Sequence, residues 1–236
     1  MKRVVALFIM LACCCATYSQ TPNEQSGPIK LWTSSFSAID VDANIILTLT
    51  SIPDDQAPYI VYDTKGNPPA NLSMEVDRHG VLHIVERRSS KNMVLTEIEI
   101  YFNDISDITL SKANTTVKHG IKTKMLDINL DDGARLKAEL NVVDLVITLQ
   151  RDSFAELSGI SQYHTATISH SQYNASDLWS LSTRVFSRRG SNAQVDADTR
   201  LEAHTASGGV VSYLSDPEVL RTYKSVFGGS ISPIVK

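Results

Sequence analysis

Apolar and polar residues alternate with a period of two along almost the whole chain. Residues 39–43 (Ile-Asp-Val-Asp-Ala) alternate in this way, and residues 97–102 (Glu-Ile-Glu-Ile-Tyr-Phe) begin to do so. This period places one set of side chains inside a β-sheet protein and the other set in solvent. Residues 74–76 and 81–85 flank the polar segment 77–80, which predicts a β-hairpin. No helical stripe exceeds about two turns, so the pattern predicts an all-β fold.

The second half of the chain repeats one strand pattern at a nearly constant interval. The pattern Leu-x-Ile-x-Leu at residues 126–130 returns at 145–149 and, in altered form, in three later segments. The first residues of the five copies are 19, 19, 19 and 18 positions apart. They are Leu126, Leu145, His164, Thr183 and Leu201.

A period of about 20 residues, made of short strands and turns, is typical of a β-solenoid. One coil cannot bury its inward side chains alone, so coils stack about 4.8 Å apart and pair their strands. Residues one period apart then form columns. The predicted interior column consists of Ile128, Ile147, Ala166, Val185 and Ala203. An antiparallel sandwich or meander with chance spacing is the alternative fold.

Three N-terminal segments and the repeats after them resemble the auto-transporter adhesin head GIN domain family, which occurs in exported proteins of Bacteroidetes. The segments are 36–49, 59–62 and 80–84, and the resemblance extends over residues 36–234. It implies a right-handed, mainly parallel β-helix with irregular N-terminal strands and a hairpin. The family name implies adhesion.

The glycine-rich turn of that family, Ser-Gly-Ser-Gly-Asp, is only partly kept in this chain. Its equivalents are residues 169–173, 187–191, 207–209 and 227–230. The chain is therefore similar to a divergent member of the family, and its turns need not share a role with those of other members.

The N-terminus has the order of parts that directs export. A basic start, an apolar run over residues 4–15 and small residues after it predict a signal peptide over 1–19, cleaved near Ser19-Gln20. The alternative is a lipoprotein signal acylated at Cys13 or Cys14. Either signal predicts an exported protein of the periplasm, the outer membrane or the cell surface.

Composition and charge limit the classes of partner that this chain can bind. The chain has 236 residues and a formal charge of −4, which becomes −6 when Lys2 and Arg3 leave with the signal peptide. An acidic chain lacks the basic surface that binding to nucleic acid requires. No apolar run after the signal peptide is long enough to span a membrane. All three cysteines lie in the signal peptide, which argues against disulfides and Cys-based zinc sites. We expect a flexible lead over 20–35 and one β-solenoid domain over 36–236.

The sequence predicts no catalytic residue, no metal site and no cofactor. A β-helix can degrade glycans, and hydrolysis of a glycan needs two carboxylates about 5–10 Å apart. The candidate acids are Asp131, Asp132 and Asp152, but the positions one coil after the first two are Gln150 and Arg151. The histidines are scattered, which gives only a weak signal for a metal.

A column of charged residues is the first candidate for binding. Arg151, His170 and Arg189 are 19 positions apart in turn, so they would stack on the outer surface of a solenoid. Such a stack could bind an acidic glycan or another polyanion. The alternative is that these are solvated turn charges.

Aromatic residues after the third repeat are the second candidate for binding. Tyr163 and Tyr173 end two copies of Ser-Gln-Tyr, and Trp179 follows. Exposed aromatic rings on a rigid β-surface suit contacts with glycans or proteins. Aromatic rings that pack at a corner of the solenoid would give the same sequence pattern.

These observations favour a non-enzymatic, exported envelope protein that presents a β-helix for adhesin-like binding. Its expected partner is an envelope protein or a glycan. A structural, self-associating envelope component that forms homo-oligomers is the alternative, and a glycan-degrading enzyme is the second alternative.

Overall fold

A computed structural model describes residues 27–87, 94–225 and 227–234, and the predicted signal peptide lies outside them. These residues form 18 strands and one short 3-10 turn at Pro69–Asn71. The strands are β1 (Ile29–Trp32), β2 (Ala38–Asp42), β3 (Ile46–Ser51), β4 (Tyr59–Asp63), β5 (Leu72–Val76), β6 (Val81–Glu86), β7 (Glu97–Phe102), β8 (Asp107–Ser111), β9 (Asn114–Lys118), β10 (Ile121–Asp131), β11 (Arg135–Gln150), β12 (Phe154–Ser169), β13 (Gln172–Arg188), β14 (Asn192–Val195), β15 (Arg200–Ala206), β16 (Val210–Tyr213), β17 (Val219–Lys224) and β18 (Ile231–Pro233). No helix in the described part of the chain is long and apolar enough to cross a membrane.

Parallel pairing between successive coils builds a β-solenoid of about seven turns. The long strands pair over almost their full length, as β11 does with β12 from Arg135 opposite Phe154 to Gln150 opposite Ser169. The register joins the five residues of the predicted interior column: Ile128, Ile147, Ala166, Val185 and Ala203. All five are buried. The predicted solenoid and its 19-residue register are confirmed.

The first coil is threaded between strands that come later in the chain. β2 lies between β6 and β8, and β3 lies between β7 and β9, all in parallel. Antiparallel strands close this end of the solenoid, since β5 pairs with β6, β4 with β7, and β1 with β4. β1 lies within the segment 20–35, which the sequence led us to expect as a flexible lead.

The predicted hairpin joins β5 to β6. Asp77 organises its turn, because Oδ1 accepts hydrogen bonds from the backbone N–H groups of His79 and Val81 at 2.8 and 2.9 Å. An aspartate that bonds to nearby backbone N–H groups favours this kind of turn.

The interior is apolar through the middle coils and becomes polar toward the C-terminus. One inward column consists of Leu110, Leu130, Leu149, Ile168, Ser187 and Thr205. Burial of a leucine or isoleucine contributes about 1.5–3 kcal/mol. Buried hydroxyls need partners instead, and Ser187 Oγ lies 3.0 Å from both Ser191 Oγ and the carbonyl oxygen of Val210.

The coils turn at corners where a non-glycine residue adopts the left-handed backbone conformation. These residues have φ between 49° and 67°, and they are Lys112, Asp132, Arg151, His170, Arg189 and Ser207. The next residue is a left-handed glycine at 133, 190 and 208, is not left-handed at 113 and 171, and is the left-handed Asp152 (φ 64°) after Arg151. A left-handed L-residue costs about 1–2 kcal/mol. The corner at residues 151 and 152 is therefore the more strained one.

Candidate binding surface

The structure brings the three predicted charged residues together at successive corners. Arg151, His170 and Arg189 are exposed and follow residues that pair in register. A cleft of about 270 Å³ at this corner is lined in part by His170 and Asp152. Arg151 forms an ion pair with Asp131, and His170 Nδ1 lies 3.7 Å from Asp152 Oδ1. The corner carries both signs of charge, and its role in binding stays a prediction.

The prediction that Tyr173 is an exposed binding residue is wrong. Tyr173 is only 2% exposed, because it pairs with Ala155 in a column that points inward. Its hydroxyl lies 2.8 Å from Nε2 of His164, which is also buried. Burial lowers the pKa of His164 to about 4 and raises the pKa of Tyr173, so the pair is neutral.

Tyr163 and Trp179 are exposed, with 51% and 41% of their surface accessible. Tyr163 ends the same tripeptide as Tyr173, but it lies at a bend of β12 where Gln162 also faces solvent. Trp179 lies opposite the exposed Ile160 on the neighbouring strand. These two aromatic residues therefore reach the surface at separate places, and their roles in binding stay predictions.

Three stacked rings on the last strands were not anticipated from the sequence. Phe186, His204 and Tyr223 occupy one outward column across β13, β15 and β17. Their ring centroids are 4.5 and 4.4 Å apart, with interplanar angles of 20° and 10°. Parallel strands about 4.8 Å apart hold the rings in this stack without a ligand. We call these three residues the aromatic ladder.

A groove of about 650 Å³ runs along the aromatic ladder. Arg188 and Lys224 line it, and none of the described acidic residues does. Within the described part of the chain, neither cation has a carboxylate within ion-pair distance. Two cations without a counter-ion beside low-dielectric rings give the groove a positive potential.

Glu202 holds the central ring of the aromatic ladder. Its Oε1 lies 3.0 Å from His204 Nε2 and 3.3 Å from Arg184 Nε, and its Oε2 lies 3.3 Å from a guanidinium nitrogen of Arg200. The hydrogen bond from His204, helped by the charge of Arg184, lowers the pKa of Glu202 to about 2. The carboxylate stays ionised and is fully engaged within the protein.

These residues form one surface on the outside of β13, β15 and β17, which we call the aromatic–basic face. It consists of the aromatic ladder, Glu202, Arg184, Arg188, Arg200 and Arg221, together with Lys224, which is in register with the inward Thr205 but is exposed on the end strand β17 and lines the groove. It carries five cations and one carboxylate, although the whole chain has a formal charge of −4. A second cleft, of about 270 Å³, lies beside the Glu202 ion pairs and brings Tyr163 to this face.

The chemistry of the face suits binding. Hydrolysis of a glycan uses two carboxylates across the scissile bond, whereas the single carboxylate of the face is held by three partners. No group of three or more His, Cys, Asp or Glu side chains within the described ranges could hold a metal ion.

The repeat period contained a signal for the aromatic ladder. Phe186 and His204 occupy the same position in two copies of the repeat. Residues 220–224 form a further copy, 19 positions after 201–205, and place Tyr223 in the same column. Extending the repeat by one copy would have found all three rings.

Comparison with known proteins shows the family of this chain. The sequence profile of the family described as "Putative auto-transporter adhesin, head GIN domain" matches residues 35–217. No curated protein matches the chain.

Solved structures share the fold at low sequence identity. A "putative adhesin" from Bacteroides fragilis is 17% identical, with a TM-score of 0.81 over 90% of this chain and 99% of its own. A "putative lipid binding protein" from Parabacteroides distasonis is 16% identical, with a TM-score of 0.65 over 90% and 98%. A "putative adhesin" from Parabacteroides merdae is 14% identical, with a TM-score of 0.63 over the same shares. The fold and the matched profile agree, and the chain belongs to the auto-transporter adhesin head GIN domain family.

Proposed function

We propose that this protein is a non-enzymatic, exported envelope component that binds an envelope protein or glycan in an adhesin-like manner, through the aromatic–basic face. One observation carries the proposal: an open groove runs along the aromatic ladder, and Arg188 and Lys224, which line it, have no carboxylate partner among the described residues. Aromatic and arginine side chains are enriched where proteins bind their partners.

The solenoid prepares this face for binding. β13, β15 and β17 are paired in continuous register, so the rings and cations project from a rigid sheet. Glu202 further fixes the ring of His204. A surface that is ordered before binding loses little conformational entropy when a ligand arrives.

Family and sequence support the cellular setting of the proposal. The chain belongs to an adhesin-like family, and similar folds occur in proteins described as adhesins. The predicted signal peptide supports export to the periplasm, the outer membrane or the cell surface.

Lipid binding receives little support, although one similar structure is described as a lipid-binding protein. A lipid tail needs an enclosed apolar cavity. The interior columns of this solenoid are filled by buried side chains, and the groove is open and bordered by cations.

Self-association is the second candidate function. Among the described strands, β17 pairs only with β15, and all six residues of Val219–Lys224 are exposed. An exposed edge strand can pair with a strand of a second copy. A dimer detected by light scattering and dispersed by Thr222→Pro, but unaffected by Tyr223→Ala, would favour this role.

The proposal is tested by measuring affinity. The chain from Gln20 onward is screened against a glycan array and envelope fractions, and Kd is then measured for each purified ligand. We expect Tyr223→Ala to weaken binding by about tenfold or more, because aromatic anchors carry much of the binding energy. Trp179→Ala removes a comparably exposed ring outside the groove and should leave Kd unchanged.

Two results would contradict the proposal. If Trp179→Ala weakened binding and Tyr223→Ala did not, the contact surface would lie near Trp179 and not on the aromatic–basic face. If a bound glycan were cleaved, the protein would be an enzyme.

A further inference from the structure

We infer that the ligand of the aromatic–basic face is an acidic glycan, a polysaccharide with repeated carboxylate or sulfate groups that lies along the aromatic ladder. This inference rests on the proposed function and adds the chemical class of the ligand.

Cations border the aromatic ladder on both sides in β13. Arg184 lies two residues before Phe186, and Arg188 lies two residues after it. Residues two apart in a strand project from the same face of the sheet. The two guanidinium groups therefore leave the sheet on either side of the ring.

Cations also lie beside the ring two coils later, in β17, but in a different arrangement. Arg221 lies two residues before Tyr223 and projects from the same side of the strand. Lys224 directly follows Tyr223, in register with the inward Thr205, but it is exposed at this end strand and lines the groove. The cations of β13 and β17 are two strand spacings apart, which is about 10 Å. A ligand with anionic groups at intervals along an extended chain can meet both sets at once.

The intervening strand, β15, has no cation that is free of a carboxylate partner. On β15, Arg200 contacts Glu202, and Ala206 lies in the column after Arg188. Arg184 of β13 contacts Glu202 as well. Among the described residues, the cations of this face without a carboxylate partner are therefore Arg188 on β13 and Arg221 and Lys224 on β17, two rows separated by one strand. A repeating polyanion complements this pattern better than a single small anion does.

The groove also offers the contacts that a sugar ring requires. Stacked rings form one wall, and Thr167 and Ser225 contribute hydroxyl groups that can donate and accept hydrogen bonds. The C–H faces of sugars pack on aromatic rings, and their hydroxyl rims bond to such groups. The outer side of Tyr223 is free for this contact, since β17 is the last described strand on this side.

A protein partner fits this face less well. A stable protein interface buries about 800 Å² on each partner around an apolar centre from which charges are depleted. In the groove the large apolar side chains form one column of rings with cations beside it, and the exposed Val219 and Leu220 at the start of β17 lie outside the groove. An acidic protein is therefore one of the outcomes that the test must separate.

The test compares charged and neutral glycans by isothermal titration calorimetry. Polygalacturonate, heparin and neutral dextran are titrated into the chain from Gln20 onward at 0.15 M NaCl. We expect at least one acidic glycan to bind and dextran not to bind. The affinity should fall as salt is raised, because binding releases counterions from the polyanion.

Charge-removing variants locate the contact. Arg188→Gln combined with Lys224→Gln should weaken binding of the acidic glycan by about tenfold or more and reduce the salt dependence. Lys122→Gln removes an exposed cation on β10, away from the face, and should have no effect. Adding dextran sulfate to the titrations identifies the group that is recognised, because its charged groups are sulfates whereas those of polygalacturonate are carboxylates.

Three results would overturn the inference. They are equal binding of dextran and acidic glycans, unchanged affinity in the Arg188→Gln and Lys224→Gln double variant, and binding of an acidic protein in place of glycans. In each case a loss of affinity in Tyr223→Ala would leave the proposed function standing. If Tyr223→Ala affected no ligand, the proposed function itself would fail.

Discussion

The protein has a stack of aromatic rings at each end of the solenoid, and the two stacks differ in what lies beside them. At the N-terminal end, across β1, β4 and β7, Tyr59 stacks on Tyr101 with centroids 4.1 Å apart, and the Trp32 ring packs on Tyr59 at 5.3 Å with a tilt of 59°. Lys30 Nζ lies 3.6 Å from the ring centroid of Tyr59 and 4.0 Å from that of Trp32. Among the described residues, no cation lies over a ring of the aromatic ladder in this way.

The difference shows that stacked rings alone do not indicate a binding site. In the N-terminal stack the chain supplies its own cation, and this contact fastens β1 and β4 onto the closed end of the solenoid. At the C-terminal end the cations border an open groove instead of covering the rings. We therefore propose that the first stack serves stability and the second binding, and the predictions below test this division.

The largest effect should come from the apolar interior. Leu130→Ala removes a fully buried side chain and should lower the free energy of unfolding by about 2–5 kcal/mol. Thr205→Ala, in the same inward column but near the C-terminus, should cost about 1 kcal/mol or less, because its buried hydroxyl has no partner within the described ranges. Urea unfolding followed by circular dichroism measures both; equal losses would contradict the contrast between the two regions.

The buried histidine should make stability depend on pH. The folded-state pKa of His164, about 4, lies below the unfolded value of 6.5, so only the unfolded chain takes up a proton between these values. This difference in pKa adds about 3 kcal/mol to the free energy of unfolding above pH 6.5. The added stability is lost as the pH falls from 6.5 to about 4. Urea midpoints across this range should fall less steeply in His164→Gln. His79→Gln, which removes an exposed imidazole, is measured in parallel as the control.

Removing one ring from each stack should separate stability from binding. Tyr59→Ala should lower the free energy of unfolding by about 2 kcal/mol, since it removes a half-buried ring with two ring neighbours and a cation. Tyr223→Ala should cost less than about 1 kcal/mol, because one face of its ring is already in solvent. Thermal unfolding of both variants measures this; a larger loss for Tyr223→Ala would reverse the assignment.

The smallest effect should come from the strained corner between the two regions. Asp152→Gly places glycine at a left-handed position and should raise stability by about 1 kcal/mol. Gly190→Asp is the matched reverse change at the equivalent position of a later coil and should lower stability by a similar amount. Chemical denaturation of both variants tests the sign, and a decrease for Asp152→Gly would show that its side chain stabilises the corner.

The register of the middle coils could be predicted from sequence because the 19-residue period fixes which residues pair. The threading of β2 between β6 and β8 could not, since it joins segments more than 20 residues apart that share no period. Tyr173 was misjudged because alternation changes phase at bends. The copy that ends at Tyr163 spans a bend, whereas the copy that ends at Tyr173 follows a corner. The first tyrosine is therefore exposed and the second is buried.

The aromatic ladder was missed for a different reason. The copy at residues 220–224 keeps the inward Leu220 but has Thr222 and Lys224 at the next two inward positions. An end coil has no neighbour to bury these side chains, so its apolar pattern weakens where the repeat ends. The site therefore lies where the hydrophobic signal is faintest.

Hydrogen exchange of the protein with and without a bound acidic glycan tests the central claim most directly. The account predicts that the ligand slows exchange of backbone amides in β13, β15 and β17, and leaves β1, β4 and β7 unchanged. Protection at the corner that contains Arg151, His170 and Arg189, or beside Trp32, without protection of β15 and β17, would contradict it.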